Sequence, residues 1–203
     1  RVREAGALVL SQINTRDDLR VVEAAGVDAV VAQGHEAGGH TGRVATLPLL
    51  QEVLESTSLP VLAAGGIATG RGLAAVLAAG AQGAFVGTAL LASPETVGPE
   101  YARTKVVDAG SADTVYTDIF DKARHQPWPS RWGGRALTNA FTDRFHGTVA
   151  DEDVLAEAYT GDDPDIGVVY AGEAVGSVRE ERPAGQVIRE IAASAEALRA
   201  RFR

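Results

Sequence analysis

The chain has 203 residues, 45% of them hydrophobic and 23% charged, with a formal net charge of −8. That composition suits a globular protein of one or two domains, and its acidity argues against nucleic acid or an anionic membrane as a partner. The absence of Cys excludes a disulfide framework, a zinc–thiolate site and a thiol nucleophile.

The first predicted element is a strand at Ala7-Leu8-Val9-Leu10. Thr15 then reads as the N-cap of a helix to about Ala25, with Asp17 and Asp18 in its first turn and Gly26 as its stop. A second strand, Ala29-Val30-Val31-Ala32, runs into the glycine-rich stretch GHEAGGHTG. A helix follows over Leu47 to Ser56, with Pro48 at its start. The third strand is Val61-Leu62-Ala63-Ala64, followed by GGIATGRG and a helix to Ala79. The fourth is Ala84-Phe85-Val86, then Gly87-Thr88 and a short helix.

Between Glu55 and Glu95 the only charge is Arg71, but Pro60, Gly65, Gly66, Gly70, Gly80, Gly83 and Gly87 break the stretch into pieces too short to span a membrane. Short, near-continuous apolar runs are the mark of strands buried on both faces. Strand alternating with helix, four times, predicts a parallel sheet with crossover helices. AAGVDAVVAQG, beginning at Ala24, is echoed by AAGAQGAFVGT, beginning at Ala78. Such an echo suits a (β/α)8 barrel, and a doubly wound sheet also produces it.

Residues 93–147 carry scattered polar and aromatic residues, including Pro127-Trp128-Pro129 and Trp132-Gly133-Gly134. They read as an extension of loops and short helices. Asp162-Asp163-Pro164-Asp165 is a turn, and Val187, Ile188, Ile191, Ala195 and Leu198 form the apolar face of a closing helix to Phe202. The organisation expected is therefore barrel-type units over 1–92 and a mainly helical extension over 93–203.

In parallel α/β proteins, sites lie at the C-terminal ends of strands. GHEAGGHTG, GGIATGRG and VGTALL all follow strands and are expected to converge on one rim. His35-Glu36 and His40 have some likeness to the zinc signature HExxH. Here the histidines are five residues apart with glycines between, so one helical face cannot carry them and no metal site is expected. Gly65-Gly66 before a helix start, and Gly87-Thr88 on the next strand, let backbone N–H groups approach an anion. The same turns would also serve as plain βα connections. His40, in a loop at a strand end, can take a proton near neutral pH, and a structural loop histidine is the alternative.

AQGHEAGGHTG, PVLAAGGIATGRG and GAFVGTALLASPE together resemble the nitronate monooxygenase family, also called 2-nitropropane dioxygenases. Flavin-dependent enoyl-ACP reductases are relatives of that family. RHQPWPSRWGGRALTNAF and YAGEAVGSV extend the resemblance over nearly the whole chain. The resemblance implies an FMN-binding TIM barrel that oxidises alkyl nitronates with O2 to a carbonyl compound and nitrite. It implies His40 as the histidine that removes the proton next to a nitro group, and gives His35 no role. It places Gln33, Gly38 and Gly39 near the flavin, Gly65 and Gly66 at one phosphate turn, and Phe85, Val86, Gly87 and Thr88 at the next.

A family barrel has eight strands and this chain shows about four. Residue 1 is Arg and no Met occurs, so the natural start is expected upstream and the chain is expected to be a fragment. Open sheet edges would also favour pairing with a second copy. No targeting segment is seen in the residues present, and a cytoplasmic protein is expected. An NAD(P)H-dependent flavin reductase acting on enoyl thioesters or quinones, and an inactive or purely flavin-binding fragment, are the alternatives.

Overall fold

A computed structural model describes residues 5–129 and 131–202. They divide into two compact units. One comprises Arg1–Glu36, Gly42–Val86 and Ile188–Arg203; the other comprises Ala37–Thr41 and Gly87–Val187. In chain order the first regular elements are β1 (Leu10–Ile13), α1 (Arg16–Ala24), β2 (Ala29–Gln33), β3 (Gly39–Thr41), α2 (Thr46–Leu54), β4 (Val61–Ala64), α3 (Gly70–Ala78) and β5 (Gly83–Phe85).

The first unit is built on a four-stranded parallel sheet of order β1-β2-β4-β5. Each pair of sequence-adjacent strands in it is joined through a helix, as the alternating pattern predicts. Val30, Ala32, Val61 and Ala63 face a core completed by Ile13, Leu19, Leu49, Leu50, Val53 and Val76. The strand expected at Ala7-Leu8-Val9-Leu10 begins three residues later than expected. It sits at the sheet edge, where Leu8 and Leu10 stay exposed and Ser11 and Gln12 are tolerated. Local apolarity therefore marks the approach to the strand, while the register pairs Ile13 with Ala32.

Helix ends follow the chemistry at their caps. Thr15 accepts from the Asp18 N–H at 3.2 Å, and the Asp18 carboxylate accepts from the Thr15 N–H at 2.8 Å, a reciprocal capping box. The residue before α2 is Ala45, which has no side chain to cap with. Glu36 supplies the acceptor instead, taking the Thr46 N–H at 2.8 Å and its hydroxyl at 2.7 Å. Gly34 lies so close to Thr46 that a side chain there would collide with its backbone.

The second unit contains β3 and then α4 (Glu100–Asp108), β6 (Thr114–Thr117), α5 (Ile119–Ala123), β7 (Gly133–Leu137), α6 (Ala140–Phe145) and α7 (Glu152–Ala158). Helices outnumber strands here, but an antiparallel sheet of order β3-β7-β6 runs through the unit and is absent from the expectation. The glycine stretch after β2 is thus not one loop: Gly39–Thr41 near its end form a strand pairing with residues more than ninety positions on. Phe120, Ala136, Phe141, Phe145 and Leu155 form one core cluster; Val106, Leu137, Ala171 and Val175 belong to another. Ser130, inside one of the recognised motifs, lies outside the described residues.

The closing helix α8 (Ala184–Arg199) buries Val187, Ile191 and Ala195, one turn apart, while Ile188 is exposed. Among the described residues no helix is long and apolar enough to cross a membrane.

The two kinds of support differ in size. Leu50→Ala empties a fully buried site and should cost about 2–5 kcal/mol, whereas Thr15→Ala removes a cap and should cost about 1 kcal/mol. Urea denaturation of both variants would reveal this order.

Candidate active site

In the first unit the strand ends align in register. Gln33 at the end of β2 is opposite Ala64 of β4, and Ala64 is opposite Phe85 of β5. Gly65 and Gly66 follow at once, with φ of 102° and 71°, conformations that favour glycine. Four residues later α3 begins, capped by the Thr69 hydroxyl on the Gly72 N–H. A glycine turn leading into a helix start is the arrangement that suits an anionic group.

Gln33 is buried, and its side-chain oxygen accepts from the amides of Gln12 and Asn14, both at 2.7 Å. Three amides thus cluster at the ends of β1 and β2, where they can read polar edges of a ligand. Phe85 is 57% exposed at the strand end, whereas Val86 packs on the core. His35 braces its own loop by donating from Nδ1 to the Gly42 carbonyl at 2.9 Å. With Glu36 used as the cap of α2, the HExxxH residues separate into distinct structural tasks.

The second unit holds Gly38, Gly39, His40, Gly87 and Thr88. Gly38 lies against the backbone of Ala171 and Gly172, where a Cβ would come within 2.7 Å. The Thr88 hydroxyl oxygen accepts from the Gly172 N–H at 2.9 Å and keeps its own proton for donation. Gly39 has φ of 77°, and a side chain at Gly39 or Gly87 would meet nothing within 4 Å. Gly87 is therefore open, and with the Thr88 hydroxyl next to it the turn fits an anionic group such as a phosphate.

His40 lies on β3, paired with Gly134 of β7. The Tyr116 hydroxyl fixes this edge by donating to the Thr41 carbonyl at 2.9 Å and accepting from the Gly133 N–H at 2.7 Å. Nε2 of His40 donates to Asp121 Oδ2 at 2.7 Å. The Trp128 ring stacks on the imidazole at 3.8 Å with 10° between planes, and Tyr170 lies beside it at 5.7 Å.

Asp121, on α5, is only 4% exposed. Its Oδ1 receives Arg124 Nη2 at 3.3 Å and the Tyr170 hydroxyl at 3.4 Å. Arg124 also donates to the Tyr170 oxygen at 2.7 Å and from Nε to the Phe120 carbonyl at 3.0 Å. Burial pushes the Tyr170 phenol up to about 12; Asp121 adds to the rise and Arg124 opposes it. The phenol therefore stays protonated, and a donor, through the neutral range. A cavity of about 300 Å³ borders Asp121 and Trp128 and is walled further by Lys122, His125, Trp132 and Glu152.

A carboxylate on one ring nitrogen fixes the tautomer and leaves Nδ1 with a lone pair to offer. The arrangement can therefore take a proton from a bound molecule and stabilise the imidazolium that forms. The sequence reading found His40 but not Asp121, Arg124, Trp128 or Tyr170. Two recognised motifs contain three of them, Arg124 and Trp128 in one and Tyr170 in the other. Asp121 precedes both motifs and lies 81 residues from its partner, so no local pattern marks it.

The family model for nitronate monooxygenase matches residues 1–194. A nitronate monooxygenase of Neurospora crassa is 33% identical over 202 residues, covering 92% of this chain and 53% of that protein. Among solved structures, nitroalkane oxidase from Streptomyces ansochromogenes is 36% identical with a TM-score of 0.81, covering all of this chain and 61% of the other. FabK from Thermotoga maritima is 33% identical with a TM-score of 0.84, covering all of this chain and 65% of the other. The chain thus spans about half the length of the curated relative. Its parallel βα units are part of a TIM-type barrel. With three ordered motifs, the paired imidazole and carboxylate and a family match over almost the full length, the chain belongs to the nitronate monooxygenase family.

Proposed function

We propose that this protein contributes to an FMN-dependent nitronate monooxygenase that oxidises small alkyl nitronates with O2 to a carbonyl compound and nitrite. The observation that carries the reading is the 2.7 Å bond between His40 Nε2 and the buried Asp121 carboxylate. Gly65, Gly66, Gly87 and Thr88 would hold the phosphate, and Gln33, Gly38, Gly39, Phe85 and Val86 the remainder of the flavin. When bound, the flavin supplies the redox chemistry between nitronate and O2.

The protein's own part is proton transfer and positioning. Nδ1 of His40 takes the acidic proton from the carbon next to the nitro group. Asp121 holds the ring in the tautomer that leaves Nδ1 free and balances the charge the ring acquires. The Trp128 face keeps the imidazole plane fixed and covers one side of it from water. Since a preformed nitronate has already lost this proton, it needs His40 less than the neutral nitroalkane does.

The likeness to FabK favours a second reading, an NAD(P)H-dependent flavin reductase acting on an enoyl thioester or a quinone. Both readings use the same turns and the same histidine. Oxygen uptake driven by nitronate without NADH supports the first. NADH oxidation that depends on an enoyl thioester or quinone, without nitronate turnover, supports the second.

His40→Gln should lower turnover of the neutral nitroalkane by about 10²–10⁴-fold while flavin stays bound and preformed nitronate is affected less. Steady-state oxygen consumption checks it, and undiminished nitroalkane turnover would remove His40 from the role of base. Gly66→Val forces a β-branched residue into a φ of 71° and should weaken FMN retention. Fluorescence titration with FMN measures the loss, and unchanged affinity would mean that this turn does not hold the phosphate.

A further inference from the structure

Asp121 is buried on α5, a helix whose Ile119, Phe120 and Ala123 pack into a core cluster with Phe141 and Phe145. A carboxylate in such a place is stable only when its charge is compensated. Its Oδ2 edge faces His40 on β3, which must begin each cycle neutral if it is to accept a proton. A neutral imidazole does not compensate a buried anion. Left alone, the pair would settle with the proton held on the ring, and the base would be occupied before substrate arrived. The opposite edge carries the remedy. Arg124, one turn along from Asp121, puts a permanent positive charge on Oδ1 and is itself tied to the Phe120 carbonyl and the Tyr170 hydroxyl.

We propose that Arg124 is a positioning residue that keeps Asp121 ionised while His40 is neutral, so that the imidazole is free to act as the base; this rests on the role given to His40 above. The groups facing Asp121 are His40 from β3, Arg124 from the C-cap of α5 and Tyr170 from the segment before Gly172. Lys122, paired with Asp118 at 2.9 Å, and His125, beside Glu152 at 3.7 Å, share the cavity that Asp121 borders. Lys122 is thus matched by a carboxylate and the His125 ring has Glu152 beside it, which leaves Arg124, among the described residues, as the permanent cation in direct contact with Asp121. Tyr170 contributes differently: it accepts from the guanidinium and donates to the carboxylate, so it fixes the distance between them. Gly134, whose added Cβ would lie 2.6 Å from the Tyr170 ring, gives that phenol its space.

The test follows the imidazole itself as well as the rate. The flavin-loaded protein is labelled at histidine, the His40 resonance is assigned with His40→Gln, and its titration midpoint is followed by NMR. Arg124→Gln and Arg124→Met should raise that midpoint by about one pH unit, because the uncompensated carboxylate then favours the imidazolium. The acidic limb of kcat/KM for the neutral nitroalkane should move upward with it, while KM stays nearly constant. Arg124→Lys, which restores charge without the planar fork, should bring most of the midpoint back. An unchanged midpoint in a variant whose near-UV circular dichroism is native overturns the proposal. If neither neutral variant folds, Tyr170→Phe retains the charge and loosens its anchor. It should shift the midpoint the same way by a smaller amount, and no shift there overturns the proposal equally. The two readings fail separately: nitroalkane turnover that survives His40→Gln removes the base assignment, whereas the NMR midpoint tests Arg124 whichever reaction is catalysed.

Discussion

The second unit is organised around one carboxylate taken out of water. A buried charge must be met on every side by donors, and Asp121 draws them from three places far apart in sequence: β3, the C-cap of its own helix α5, and the segment at Tyr170. Satisfying it therefore ties together 40, 121–124 and 170 in a way that apolar packing alone would not specify. The imidazole is oriented as a by-product of the same network. The bonds that satisfy the buried carboxylate are also the ones that orient the imidazole proposed as the base, so a change at either partner alters both.

The first unit solves a different problem, the covering of backbone groups at close quarters. The α2 start has no capping side chain of its own, and Glu36 reaches it from the loop after β2. That approach requires Gly34 to lie almost on top of Thr46. Within GHEAGGHTG, then, glycine supplies proximity, Glu36 a cap, His35 a brace and His40 the proposed base. A single dense stretch carries four tasks because the chain passes there from the parallel sheet to the antiparallel one and back.

How much of this could be read from sequence depends on the range of the forces involved. The strand at Val61–Ala64 is fixed by its own apolar run and by Pro60 before it, and it stands where the residues predict. The first helix likewise carries its own start and stop in Thr15, Asp18 and Gly26. The strands β3, β6 and β7 do not announce themselves. β3 has three residues, two of which are Gly and His, and β7 begins Gly133-Gly134-Arg135 with every position buried. Their pairing is a long-range choice, made because Arg135 finds Thr114 and Glu173, and because Tyr116 joins Thr41 to Gly133. The site shows the same division. His40 and the glycine turns are local patterns and were legible, while the carboxylate that orients the histidine became visible only once the chain was folded.

Gly134 shows what such an arrangement asks of residues that perform no chemistry. It is the cross-strand neighbour of His40, and its contribution is empty volume into which the Tyr170 ring fits. Even a methyl group there would press on the phenol, and the displacement would pass through Arg124 and Asp121 to the imidazole. A reading of the site by its polar groups alone would pass over this position, although the Tyr170 ring leaves no room for an added carbon at it.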